Sequence, residues 1–375
     1  MGGTSMGWTR VVAGASVAVL AAWGTARATP LHAGGTTVSG VLHTLPFGTH
    51  PQAVAVDEGT GRAFVTGSNG TVRVLATADG TLLRIVRVGA NPSAVAVDTR
   101  TGRVFVVNQG DDSVSVLDAL SGRVVRTVAV GAQPQALAVD ESAGRVFVAN
   151  YQGGDMSVLD AVSGRPLTTL DVGPFPSAVA VAVRTDRVFV THDDADSVFD
   201  VRSGALVATV PTGQYAGTVA VDARTGRAFV SHFGKGGRVD NVSTLDARSG
   251  RVLTTVSLNG GPGMMAVDER TGRVFAVRLK ANRVGVLDAR SGVLVGDTAV
   301  GRFPLRIAAD ATTARIFVTN HDSNSVSVLD AQTGVALHTI PVSRGPQDMA
   351  VDARVGRVFI ADYDGKSVSI LDASY

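Results

Sequence analysis

The stretch "SAVAVDTRTGRVFVVNQGDDSVSVLDALSGRVVRTVAV", residues 93–130, contains four short runs dominated by Val, Ala and other small or β-branched residues. The runs are Ser93 to Asp98, Arg103 to Asn108, Ser113 to Asp118 and Arg123 to Val130. Alternation and β-branching mark each as a strand. Between them, "TRTG" and "ALSG" place Gly102 and Gly122 where a tight hairpin needs positive φ. Four such strands with short turns occupy about forty residues.

The same unit recurs along the chain. "AVAVD" or a close variant ends at Asp57, Asp98, Asp140, Asp222, Asp268, Asp310 and Asp352, and an eighth copy carries Ala182 at the matching place. Successive spacings are 41, 42, 42, 40, 46, 42 and 42 residues. A four-stranded unit of this period is a propeller blade, which hides both faces of its sheet only by stacking between neighbours. The expected fold is therefore all-β, an eight-bladed β-propeller of four-stranded antiparallel blades. Its ends are complementary: "GVLHTLPFG" (Gly40 to Gly48) matches a fourth strand with no blade before it, while the chain stops after the third strand "SVSILDASY". The N-terminal strand should complete the last blade.

The second strands "VFVVN" (Val104 to Asn108), "VFVAN" (Val146 to Asn150) and "IFVTN" (Ile316 to Asn320), followed by "SVSVLDA" or a variant of it, carry a family resemblance. They resemble the YVTN-type β-propeller repeat of YncE-like and surface-layer-associated bacterial proteins, with Phe in place of the motif's Tyr. The resemblance spans about residues 38 to 375 and implies a propeller. It implies little about activity, because propellers carry unrelated functions.

Ahead of the repeats, Arg10 precedes an apolar run from Val11 to Ala22, and "ARA" (Ala26 to Ala28) offers small residues at a signal-peptidase site. The expected organisation is a secretory signal over residues 1–28, a short linker over 29–37 and one propeller domain over 38–375. Export to the periplasm, cell wall or medium follows, with no transmembrane domain in the mature chain. Removing the signal takes away Arg10 and Arg27 and no acid, so the formal charge of +2 falls by two. Without a basic run, the mature chain shows no nucleic-acid signal. Both tryptophans, Trp8 and Trp23, leave with the signal, and the chain has no Cys for a disulfide, a thiolate nucleophile or lipidation.

Every copy has an Arg after its first turn, such as Arg103 and Arg145, expected to face the first-turn Asp across the hairpin. The Asp residues ending the third strands, such as Asp118 and Asp330, read as turn caps. Repetition, of the Arg in all eight copies and of this Asp in seven, marks both sets as structural. Candidate binding residues lie where the copies disagree, on the rim shared by the loops leading into the first strands and the loops between second and third strands. The position closing the second strand reads Gly67, Asn108, Asn150, His192, His232, Arg278, Asn320 and Asp362, a candidate polar collar at the channel mouth. Blades four and five add Asp193, Asp194, Tyr215, Lys235 and Arg238 around the two histidines. Two imidazoles and a carboxylate could hold a divalent metal, although no local ligand motif supports one.

No "GxSxG", phosphate loop or dinucleotide fingerprint is present, so no catalytic residue, resident metal or cofactor is assigned. The leading expectation is a non-enzymatic exported scaffold, monomeric, that binds a protein, peptide, cell-envelope polymer or small polar ligand through its rim. The alternatives are a metal-dependent, lactonase-like hydrolase or lyase centred on blades four and five, and an accessory subunit of a periplasmic redox enzyme.

Overall fold

A computed structural model describes residues 40–193, 195–211, 216–233 and 240–374. These form eight four-stranded antiparallel sheets, each with its strands in sequence order except the last. In blade two the strands are Pro92–Asp98, Arg103–Asn108, Ser113–Asp118 and Val124–Ala129, within a residue or so of the sequence expectation. Blades one to seven span residues 51–87, 92–129, 134–171, 178–210, 216–257, 262–299 and 304–341. Blade eight spans 346–372 and takes its outer strand, Val41–Pro46, from the other end of the sequence. That strand runs antiparallel to Ser367–Asp372, with Thr44 opposite Ser369. The first strands of successive blades touch all the way round, blade eight against blade one, and so surround the central axis. Among the described residues no helix is long and apolar enough to cross a membrane.

Burial follows from position in the ring. Second strands are sandwiched between neighbouring blades on both faces, so Val104 to Asn108 are all buried, whereas the outer strand Val124–Ala129 buries only Val128. Each second strand also contributes one large core residue. Phe64, Phe105, Phe147, Phe189, Phe229, Phe275, Phe317 and Phe359 are at most 1% exposed, one per blade. Hydrophobic burial between sheets, at about 25 cal/mol per Å², is what holds the ring together.

The two faces of the ring differ. On the base, each first-strand Asp turns into its own hairpin: Asp98 Oδ1 accepts the Thr101 N–H at 2.9 Å. The expected partnership of this Asp with the following Arg is not what the structure shows. The Arg goes instead to the Asp ending the third strand, as in Arg103–Asp118 (2.9 Å), Arg187–Asp200 (2.7 Å) and Arg227–Asp246 (3.3 Å). In register both Asp98 and Asp118 lie opposite Arg103. Asp98, however, is fully buried against its turn, while Asp118 caps Ser121 with Oδ1 and keeps Oδ2 free for the guanidinium. The turn N–H and the serine hydroxyl hold the Asp118 carboxyl below the usual range.

The base also carries staples between blades. Glu58, Glu141 and Glu269 each accept, at 2.8 Å, a first-turn N–H of the preceding blade, from Ala353, Thr99 and Ala223 respectively. On the opposite rim, the connector into a blade bonds to that blade's second-to-third-strand loop, for example Tyr151 N–H to Gln133 O and His321 N–H to Phe303 O. The rim is therefore built from the two loop sets that the repeat pattern assigns to it.

Candidate functional site

The collar positions turn inward. Asn108, Asn150 and Asn320 have no exposure, and each donates through Nδ2 to two acceptors across its hairpin. Asn108 reaches Ser113 and Ser115 at 3.0 and 2.9 Å, and Asn320 reaches Ser325 and Ser327 at 3.1 and 3.0 Å. Asn150 bonds Asp155 and Ser157 in the same way. A glycine in the connector lies directly over each amide: a Cβ on Gly89, Gly131 or Gly301 would meet Asn108, Asn150 or Asn320 at 2.7, 2.6 and 2.6 Å. These asparagines lock rim hairpins and leave no amide exposed at an open mouth.

Asp362 occupies the same place in blade eight with the hydrogen bonds reversed. Ser367 and Ser369 donate to its Oδ2 at 3.2 and 2.7 Å. Burial pushes its carboxyl up to about 7, against the lowering effect of the two serines. Arg278 is half-buried and pinned, donating to Asn259 O at 2.6 Å and pairing with Asp297 at 2.7 Å.

His192 lies 3.1 Å from Ser197 Oγ through Nε2, beneath Gly173. Asp193 is half-buried, and its N–H bonds Pro174 O. His232 does not join His192. Its Nε2 lies 3.9 Å from Asp196 of blade four, a residue absent from the sequence-based candidates. Burial brings the His232 imidazole down to about 4, so near neutral pH this is a contact between a neutral ring and a carboxylate, not an ion pair. Tyr215, Lys235 and Arg238, with Asp194, lie outside the described residues. Among the described residues no group of three His, Cys, Asp or Glu is placed to hold a metal ion.

Open polar space lies instead between blades seven and eight. A rim cleft of about 560 Å³ is lined by Arg302, His321, Asp322, Asn324, Arg344 and Asp364. His321 bridges its walls, with Nδ1 2.8 Å from Asp322 and Nε2 3.7 Å from Asp364. The Phe303 ring stands edge-on to His321 at 6.0 Å. Arg302 donates to Asp322 O at 3.3 Å, while the Arg344 guanidinium is exposed and has no hydrogen-bond or ion-pair partner among the described residues. The pattern search missed these residues, although a signal was there. Arg302 and Arg344 stand in two consecutive connectors where blades two and three have Ala90 and Ala132.

Near the starts of the first strands of blades seven and eight, Arg306 and Asp348 take places that are alanine in blades one to four, Ala53, Ala94, Ala136 and Ala178. Each is 6% exposed, and they pair at 3.1 Å. Asp348 also accepts the Val54 N–H at 3.0 Å, so one carboxylate ties blades seven, eight and one. Burial raises its pKa, and the Arg306 charge opposes that rise.

A sequence family described as "Lactonase, 7-bladed beta-propeller" matches residues 66–192, about a third of the chain. The present ring has eight blades. No curated protein matches the sequence. Among solved structures, the chain resembles the computationally designed Ika8 protein, with a TM-score of 0.73 at 15% identity over 87% of this chain and 97% of that one. It also resembles Kuenenia stuttgartiensis Hydrazine Synthase, with a TM-score of 0.64 at 17% identity over 91% of this chain and 99% of that one. At these identities the likeness concerns the fold alone. Fold, family match and repeats together make this chain a β-propeller repeat protein.

Proposed function

We propose that the protein is an exported propeller of the YVTN-repeat kind that acts by binding, and that its ligand is an acidic molecule held in the rim cleft between blades seven and eight. One observation carries this reading: the exposed Arg344 guanidinium, without a partner among the described residues, lines an open cleft beside Arg302. Among the described residues, Asn108, Asn150, Asn320 and Asp362 spend their polar groups on their own hairpins. An acidic partner supplying a carboxylate to these arginines would gain charge-assisted, bidentate hydrogen bonds. A short synthetic peptide rich in aspartate and tyrosine, titrated calorimetrically, should bind at low salt. Arg344→Ala should weaken it about tenfold or more, the loss of roughly 1.4 kcal/mol or above. Binding unchanged by Arg302→Ala and Arg344→Ala together would rule this site out.

The second reading is a lactonase-like hydrolase, favoured by the family match over residues 66–192. It predicts turnover of simple lactones that is lost in His232→Ala, since His232 and Asp196 form a buried imidazole–carboxylate contact between blades four and five. The described residues do not supply a metal set for it, and no step through a metal is assigned.

A further inference from the structure

The charges of the rim are sorted by blade. In blades two to four the rim loops contain Asp111, Asp112, Asp155, Asp171, Asp193 and Asp194 and neither Lys nor Arg, the nearest cation being Arg87 at the end of the last strand of blade one. Among the described residues Asp111, Asp112, Asp155 and Asp171 have no ion-pair partner; their carboxylates cap loop N–H groups or bond Asn150. In blades six to eight the rim carries Arg278, Lys280, Arg283, Arg302, Arg344 and Lys366. Four acids lie among these cations: Asp297, which clamps Arg278 and Arg283, Asp322 and Asp364, which flank His321, and Asp362, buried under Ser367 and Ser369. Cations remain in excess, so the rim has an acidic arc over blades two to four and a basic arc over blades six to eight.

Shape follows the same division. At the junction of blades three and four, Tyr151 and Phe175 form an aromatic pair with centroids 5.2 Å apart, and Phe175 is 44% exposed. In a ring of eight, that junction is diametrically opposite the junction of blades seven and eight, where the cleft lies. A two-fold axis in the plane of the rim, perpendicular to this diameter, lays each aromatic pair of one copy over the cleft of the other. It also sets the acidic blades three and four of each copy against the basic blades eight and seven of the other, while blade two faces blade one and blade six faces blade five. Such an isologous contact is self-complementary in charge and in shape.

We propose that the rim docks on the rim of a second copy of this chain, with Tyr151, Phe175 and the neighbouring aspartates of each copy seated at the Arg302–Arg344 cleft of the other. The inference rests on the reading of that cleft as a site for acidic groups and names its occupant. Dimerisation then covers the cleft, so an acidic ligand must compete with the second copy.

Sedimentation velocity on the full mature chain tests this by charge exchange. The wild type should dimerise at about 0.02 M salt and dissociate by about 0.5 M, as the screening length falls from roughly 20 to 4 Å. A chain with Asp155→Lys and Asp171→Lys, and another with Arg302→Glu, Arg344→Glu and Lys366→Glu, should each be monomeric alone. Mixed, they should form a heterodimer. If the lysine variant fails to fold by circular dichroism, Asp155→Asn and Asp171→Asn remove charge while keeping the loop acceptors, and should weaken the wild-type dimer at least tenfold. A wild type that stays monomeric at low salt, or a dimer indifferent to both charge sets, overturns the proposal. The acidic peptide is titrated in parallel into the aspartate variants, whose cleft is intact. Peptide binding without dimerisation sinks the self-docking inference alone, whereas absence of both sinks the cleft reading as well.

Discussion

Blades two and three close their second strands with an asparagine, and blade eight closes the same strand with Asp362. The backbone positions are equivalent and a serine partner stands seven residues on in each, yet the chemistry differs. An amide donates to its serines without carrying charge, whereas a carboxylate can only accept from them and must either ionise in a buried place or hold a proton. The first solution leaves a buried lock that does not titrate, and blade seven shares it through Asn320. The second belongs to a sector that also holds a buried ion pair and the exposed Arg344. The half of the propeller around blades seven and eight thus adds, to the common frame, groups whose state depends on their neighbours.

The largest expected effect breaks that second half. Arg306→Met leaves the Asp348 carboxylate buried without its cation and should cost about 3–5 kcal/mol, read from the urea midpoint at neutral pH. The double variant Arg306→Met with Asp348→Leu should recover most of that loss, because no uncompensated charge remains. Equal losses in the single and double variants would show that the pair is not what joins blades seven, eight and one.

Asp362→Asn converts blade eight to the solution used in blades two and three. The Asp362 carboxyl moves from an ordinary 3.8 to about 7 on folding, so below about 4 both states are protonated and it has no effect. As pH rises from 4 to 7 the unfolded state releases its proton and the folded state keeps it, so stability falls, and above 7 the loss is complete. The variant should therefore be more stable than wild type at pH 8, by about 2–4 kcal/mol, and equal to it near pH 4. A pH-independent difference in melting temperature would contradict this.

The smallest effect belongs to the base. Arg103→Ala removes one of the repeated partners of a third-strand Asp, and both groups are partly exposed. The expected loss is about 0.2–1 kcal/mol, with little change in rim binding. A larger loss would mean that the base contributes more than its uniformity suggests.

Eight blades, four strands each and closure by the first strand were legible because the repeats align and their ends complement one another. The assignment of loops to rim or base followed from the same alignment. The partner of Arg103 was not legible, since Asp98 and Asp118 flank it in equivalent register and only side-chain direction separates them. Burial of Asn108 was hidden for a related reason, although the serines that hold it follow five and seven residues later. The cleft depends on loops around 302, 321, 344 and 364 meeting at one junction, a consequence of ring closure that no single repeat displays. His232 and Asp196 likewise come from different blades, and nothing local in either loop announces their contact.

The junction of blades eight and one carries more than the strand Val41–Pro46. Asp348 to Val54, Glu58 to Ala353, and His50 to Tyr363 join residues 294, 295 and 313 positions apart. Each of these bonds forms only after nearly the whole chain is in place, so the seam is the last part of the ring to assemble. It is also where disassembly is expected to begin. Peeling away the first strand exposes an unpaired edge on blade eight, while every other blade keeps its own outer strand. The rate of that unzipping, more than the equilibrium stability of any blade, would then set how long the protein survives proteolysis or heat.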